Sequence, residues 1–116
     1  MIYQTDVRLL KLIVEKCDRL IGICSENDLK TIESNFLLSD SIQFEFEKIY
    51  EDISKISLEF RITHNEINFS ALRSIRNRVA HDYESVIIRI LYDTVCNDIP
   101  ALKETIKSIL ENDTIN

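Results

Sequence analysis

Between positions 76 and 83 the chain reads Arg76-Asn77-Arg78-Val79-Ala80-His81-Asp82-Tyr83. A permanent cation, an imidazole that titrates near neutral pH and a phenol therefore lie within about two helical turns of one another. Such a set suits cleavage of an RNA phosphodiester, in which a ribose 2′-hydroxyl attacks the adjacent phosphorus and the 5′-oxygen departs. An imidazole can accept or deliver the proton, a contribution of roughly 10² to 10⁴ in rate. The planar fork of Arg76 can hold a non-bridging oxygen and stabilise the charge that develops at phosphorus. Asn77 can orient the imidazole or donate to phosphate, and Arg73 and Arg78 add positive potential. This chemistry calls for no metal or other cofactor.

Spacing imposes a geometric condition. On an unbroken helix Arg76, Ala80 and Tyr83 share a face, whereas His81 is rotated about 140° from Arg76. Both groups reach one substrate atom if the helix ends near His81, or if a second copy of the chain supplies the missing partner across a twofold axis. Two copies would bring two histidines, one for the 2′-hydroxyl proton and one for the leaving oxygen. A non-catalytic reading also stands: Arg, Asn and His near a helix C-terminus cap carbonyls and complement the dipole, and a tyrosine packs as an amphipathic residue. Residue spacing leaves both open.

The elements that must hold this segment are helical. One Gly and one Pro among 116 residues leave little punctuation for the turns of a sandwich or barrel. The length is that of one domain able to bury a core without staples. A net charge of −6 argues against a general nucleic-acid coat, so any RNA contact must be local. The three cysteines, Cys17, Cys24 and Cys96, show no metal or redox spacing, which is consistent with a reducing cytoplasm. Cys17 and Cys24 fall on an apolar stripe and read as core. No apolar run reaches the length of a membrane span, and the N-terminus lacks a secretory pattern.

Apolar spacing and cap residues then predict the order of elements. Thr5 or Asp6 caps a first helix to about Cys24, with Leu10, Ile13, Val14, Cys17, Leu20 and Ile21 on its buried face. A short helical piece carries Leu29 and Ile32. Ser39-Asp40-Ser41 opens a long helix whose seam runs Ile42, Phe46, Ile49, Ile53, Ile56, Phe60. Phe44 and Tyr50 lie off that seam, on an edge that meets another protomer or is covered by a loop. Residues 61–68 read as a connection, with His64 a loop histidine. A third helix turns Leu72, Ile75 and Val79 inward and carries the Arg76 segment. After a break at residues 82–85, another apolar stripe extends to Val95. Asn97-Asp98-Ile99-Pro100 starts a closing helix with Leu102, Ile106, Ile109 and Leu110. The expected architecture is an all-α antiparallel bundle of four to five helices, a single domain over residues 1–111, with a frayed polar tail at 112–116.

The pattern Arg76-Asn77-x-x-x-His81-x-Tyr83 resembles the Arg-x4-His-x-Tyr motif of HepT-like proteins, the DUF86 branch of the HEPN superfamily. Chain length, the helix layout and Asn97-Asp98-Ile99-Pro100-Ala101-Leu102 before the last helix fit the same family. The resemblance implies a homodimeric HEPN-like bundle with the motifs gathered at a cleft between protomers. It further implies an endoribonuclease toxin of a toxin–antitoxin module, in which Arg76 and His81 are catalytic and Asn77 is their companion. The implied partner is an MNT-type nucleotidyltransferase antitoxin (MntA-like) that transfers AMP to the motif tyrosine, here Tyr83. Adenylylation would place phosphate beside Arg76 and bulk in the cleft. Where many relatives carry Pro-Trp, this chain has Asn68-Phe69; where Gly often follows the motif histidine, Asp82 puts a carboxylate in the path of RNA phosphate. The alternative is a non-catalytic helical partner of a nucleotidyltransferase, binding nucleotide or substrate in the same cleft.

Overall fold

The computed structural model describes residues 2–115, with side chains described over residues 2–113. Among the described residues the fold is all-helical. It comprises α1 (Gln4–Glu26), α2 (Leu29–Ser34), α3 (Phe36–Ser54), α4 (Leu58–Thr63), α5 (Phe69–Val79), α6 (Glu84–Asn97) and α7 (Ile99–Ile115). Five of these are long; α2 and α4 have six residues each and take the number past the expected four to five. α1 runs through the centre of the bundle, against α3, α6 and α7. Its stripe of Leu10, Ile13, Cys17 and Leu20 joins Ile42 and Ile49 of α3, Leu91 and Val95 of α6 and Ile106 of α7 in one core. Full burial of a Leu or Ile side chain stabilises by roughly 1.5–3 kcal/mol, so these spacings fix which face of each helix turns inward.

Capping differs from the sequence expectation at three points. Neither Thr5 nor Asp6 caps α1; Tyr3 occupies that position without a side-chain bond. Asp6 is instead buried in the first turn, where its carboxylate accepts from the Ser57 N–H at 3.0 Å and the Ser57 hydroxyl at 2.6 Å. That hydroxyl also accepts from the Phe60 N–H, so Ser57 caps α4 while tying it to α1. The seam drawn from Ile42 to Phe60 therefore belongs to two helices: α3 ends at Ser54, and Phe60 is buried from α4. α3 itself begins earlier than Ser39-Asp40-Ser41. Asn35 caps it, accepting from the Leu37 and Leu38 N–H groups, while Ser39 is buried with its hydroxyl donating to the Ile32 carbonyl at 2.7 Å.

Further ties hold the frame. Lys16 of α1 and Asp52 of α3 pair at 2.8 Å with both side chains largely shielded. Burial pushes the Cys17 thiol up to about 12 and the Cys24 thiol to about 11, as for hydrophobes rather than nucleophiles. Cys96 is exposed. Residues 61–63 are helical, which shortens the expected connection to residues 64–68. There His64 follows α4 directly, stacked on Phe60 at 4.4 Å with Nδ1 3.0 Å from Glu66. α7 runs past Glu111 to Ile115, and the Ile2 N–H donates to Asp113 at 3.3 Å. Asn116, the end of the expected tail, lies outside the described residues. No helix among those described is long and apolar enough to cross a membrane.

Candidate active site

α5 is built to be held at one end and open at the other. At its start Asn68 accepts from the Ala71 N–H at 3.0 Å, capping the helix. Arg61 braces this end: its guanidinium donates to the Ile53 carbonyl at 2.6 Å and lies 5.2 Å from the Phe69 ring centroid. Phe69, Leu72, Ile75 and Val79 recur at spacings of three and four and pack against the core, yet no residue of α5 is buried. Among the long helices it packs most closely on α3 and α6, and a cavity separates it from α7.

At the far end α5 stops at Val79. The Ala80 N–H closes the last turn on the Arg76 carbonyl at 3.1 Å, and the His81 N–H donates to the Arg78 carbonyl at 3.1 Å. Tyr83 then adopts extended backbone and begins α6, its carbonyl accepting from the Ile87 N–H at 2.9 Å. His81 thus sits beyond the helix, in the turn that leads from α5 to α6. His81, Asp82 and Tyr83 are all exposed, with Tyr83 at 83%.

Arg76 reaches toward α3. Its guanidinium carbon lies 5.1 Å from the Tyr50 ring centroid, and Nη2 is 3.4 Å from Glu47 Oε1. Both partners of the ion pair are about half exposed, 48% and 60%, so solvent screens it to less than about 1 kcal/mol. Together these groups edge a cavity of about 380 Å³ between α3 and α5, lined by Phe44, Phe46, Leu72, Ile75 and Val79. Arg73 and Asn77 are exposed on α5. Arg78 lines a different cavity of about 390 Å³, with Arg89, Asp93 and Asn97 of α6. The arginines of the segment therefore flank α5 on two sides.

In chemical terms, the chain offers an exposed guanidinium and an exposed imidazole, neither under apolar cover. Glu47 and Tyr50 were not singled out as site residues from sequence. The available signal was Tyr50 lying off the apolar seam, since a residue three positions after Glu47 shares its face.

A family model described as ribonuclease HepT-like matches residues 13–109. The chain is 25% identical over 104 residues to a candidate RNase of Caldanaerobacter subterraneus subsp. tengcongensis, covering 90% of this chain and 93% of that one. It is 33% identical over 81 residues to a candidate ribonuclease HepT of Thermococcus cleftensis, covering 70% of each. A Methanocaldococcus jannaschii protein described as a gamma-glutamylcyclotransferase and candidate RNase is 33% identical over 87 residues, 75% of this chain. The match spans 38% of that longer protein. No solved structure matches.

Proposed function

The chain belongs to the HepT-like ribonuclease family, and on that premise we propose that it is a metal-independent endoribonuclease, the toxin of a two-gene toxin–antitoxin module. The observation that carries this reading is the end of α5 between Arg76 and His81, which leaves both side chains exposed on adjoining segments. His81 takes the proton of a ribose 2′-hydroxyl as that oxygen bonds to phosphorus. The 5′-oxygen leaves with a proton delivered by His81 of a second copy, yielding a cyclic phosphate and a 5′-hydroxyl. Arg76 holds the non-bridging oxygens, and Asn77 orients the imidazole or donates to phosphate. Arg73 and Arg78 raise the local potential in a chain whose net charge is −6.

The working unit is a homodimer in the cytoplasm. The apolar lining of the α3–α5 cavity and exposed Phe44 support association through this side of the molecule. Tyr83, exposed beside His81, is the acceptor for an MntA-like nucleotidyltransferase. Its phenol oxygen bonds to the α-phosphorus of ATP as pyrophosphate leaves, and the attached AMP then blocks RNA and competes for Arg76.

Incubating the unmodified dimer with RNA tests the reading. Arg76→Ala and His81→Ala should each lose about 10²-fold or more in cleavage while keeping fold and dimer. Undiminished cleavage by both variants sinks it. Mass measurement after treatment with the cognate transferase and ATP should show an AMP increment that Tyr83→Phe abolishes. A second reading, a non-catalytic partner that binds nucleotide for the transferase, is favoured by the ion pair that already engages Arg76. Intact RNA after incubation with folded wild-type dimer would select it.

A further inference from the structure

We propose that Tyr50 of α3 is a positioning residue for Arg76, its ring carrying the face of the guanidinium so that the in-plane donors are presented to the scissile phosphate. The inference rests on the reading above that Arg76 binds that phosphate. Arg76 stands on the most weakly buried of the long helices with described burial, and the polar and ring partners of its side chain lie on α3. An arginine left to itself samples many rotamers, and a catalytic donor misplaced by about 1 Å can lose on the order of 10² in rate.

Two residues on α3 restrict it. Glu47 contacts a single nitrogen, Nη2, at 3.4 Å, and the pair is half exposed on both sides. Such a contact is screened, and an incoming phosphate competes for the same donor. Tyr50 works differently. The guanidinium carbon stands over its half-buried ring, 5.1 Å from the centroid, a contact with the ring's π-face that places no competing carboxylate on the cation's donors. Contact with the ring and phosphate binding are therefore compatible, whereas the carboxylate must share or yield its nitrogen. α3 supplies the rigidity, because Ile49 and Ile53, which flank Tyr50 along the helix, are buried in the core.

The ring requirement separates the possible outcomes. In the dimer, Tyr50→Leu should lower kcat by about 10- to 100-fold with a smaller change in KM. Tyr50→Phe keeps the ring and should restore kcat to within about threefold. The double variant Arg76→Ala/Tyr50→Leu should be no slower than Arg76→Ala. Wild-type kcat in Tyr50→Leu, additive losses in the double variant, or an equal kcat loss in Glu47→Gln would overturn the assignment to the ring. Full cleavage by Arg76→Ala would instead reject the underlying site. A readout independent of activity is the ring-current shift of the Arg76 side-chain resonances. It should be present in wild type and Tyr50→Phe and lost in Tyr50→Leu; its absence from folded wild type overturns the proposal.

Discussion

α1 and α5 are both amphipathic helices with apolar residues at spacings of three and four, yet α1 buries Leu10, Ile13, Cys17 and Leu20 while α5 buries nothing. The difference lies in how closely the neighbours pack. α1 is packed closely by α3, α6 and α7, whereas α5 packs closely on α3 and α6 and faces α7 across a cavity, which leaves Leu72, Ile75 and Val79 at the edges of open space. Periodicity selects the face that turns inward; the supply of partners determines how far water is excluded from it. Stability is thus concentrated in one part of the bundle and the candidate chemistry in another, where side chains can still meet a substrate.

Thiol chemistry should give the widest contrast. Cys17 on α1, pushed up to about 12 by burial, holds its proton at pH 8, so the nucleophilic thiolate is scarce. Against an ordinary thiol near 8.5, alkylation of Cys17 in the native protein should be slower by on the order of 10³. Peptide mapping after iodoacetamide should find exposed Cys96 labelled first. Labelling of Cys17 at the rate of Cys96 would mean that the centre of the bundle opens readily.

Core truncation comes next. Leu10→Ala should cost about 2–5 kcal/mol in a denaturant titration, while Leu72→Ala on α5, half-buried, should cost about 1 kcal/mol. Equal losses would erase the distinction between the two helices. Between these two stands the link from α1 to α4: Asp6→Ala removes a buried acceptor of two hydrogen bonds and should cost roughly 1–3 kcal/mol. Arg76→Ala, whose ion pair is half exposed, should shift the same titration by less than about 1 kcal/mol.

The smallest effect is expected on acidification at the surface. The Thr31 hydrogen bonds to Asp28 hold this carboxyl below its usual value of 3.8 and cap α2. Because the folded value is depressed, the contribution is present above 3.8 and disappears as pH falls through the folded value. An NMR titration should show the Thr31 amide loosening below about pH 4, before the α1 amides respond. If α1 and α2 respond together, the periphery is no more independent than the core.

Where a helix stops was less legible than which face it buries. Asn35 and Ser39 are both good cap residues, and only the burial of the Ser39 hydroxyl against the Ile32 carbonyl removes Ser39 from that role. The apolar rhythm from Ile42 to Phe60 runs uninterrupted through a real break, because Phe60 returns to the same core from α4. Asp6, which acts at that break, lies 51 positions away in the chain.

From residue types and local spacing alone came the helical class, the buried faces of α1 and α7 and the core cysteines, and the Arg76-to-Tyr83 segment as the candidate place for chemistry. Those features depend on near neighbours in the chain, which periodicity records. That α5 ends before His81, and that Arg76 lies against Tyr50 and Glu47 of α3, was decided by tertiary structure. Each depends on groups brought together by packing, where several side chains of similar propensity compete and the one whose polar atoms and apolar area are best satisfied prevails.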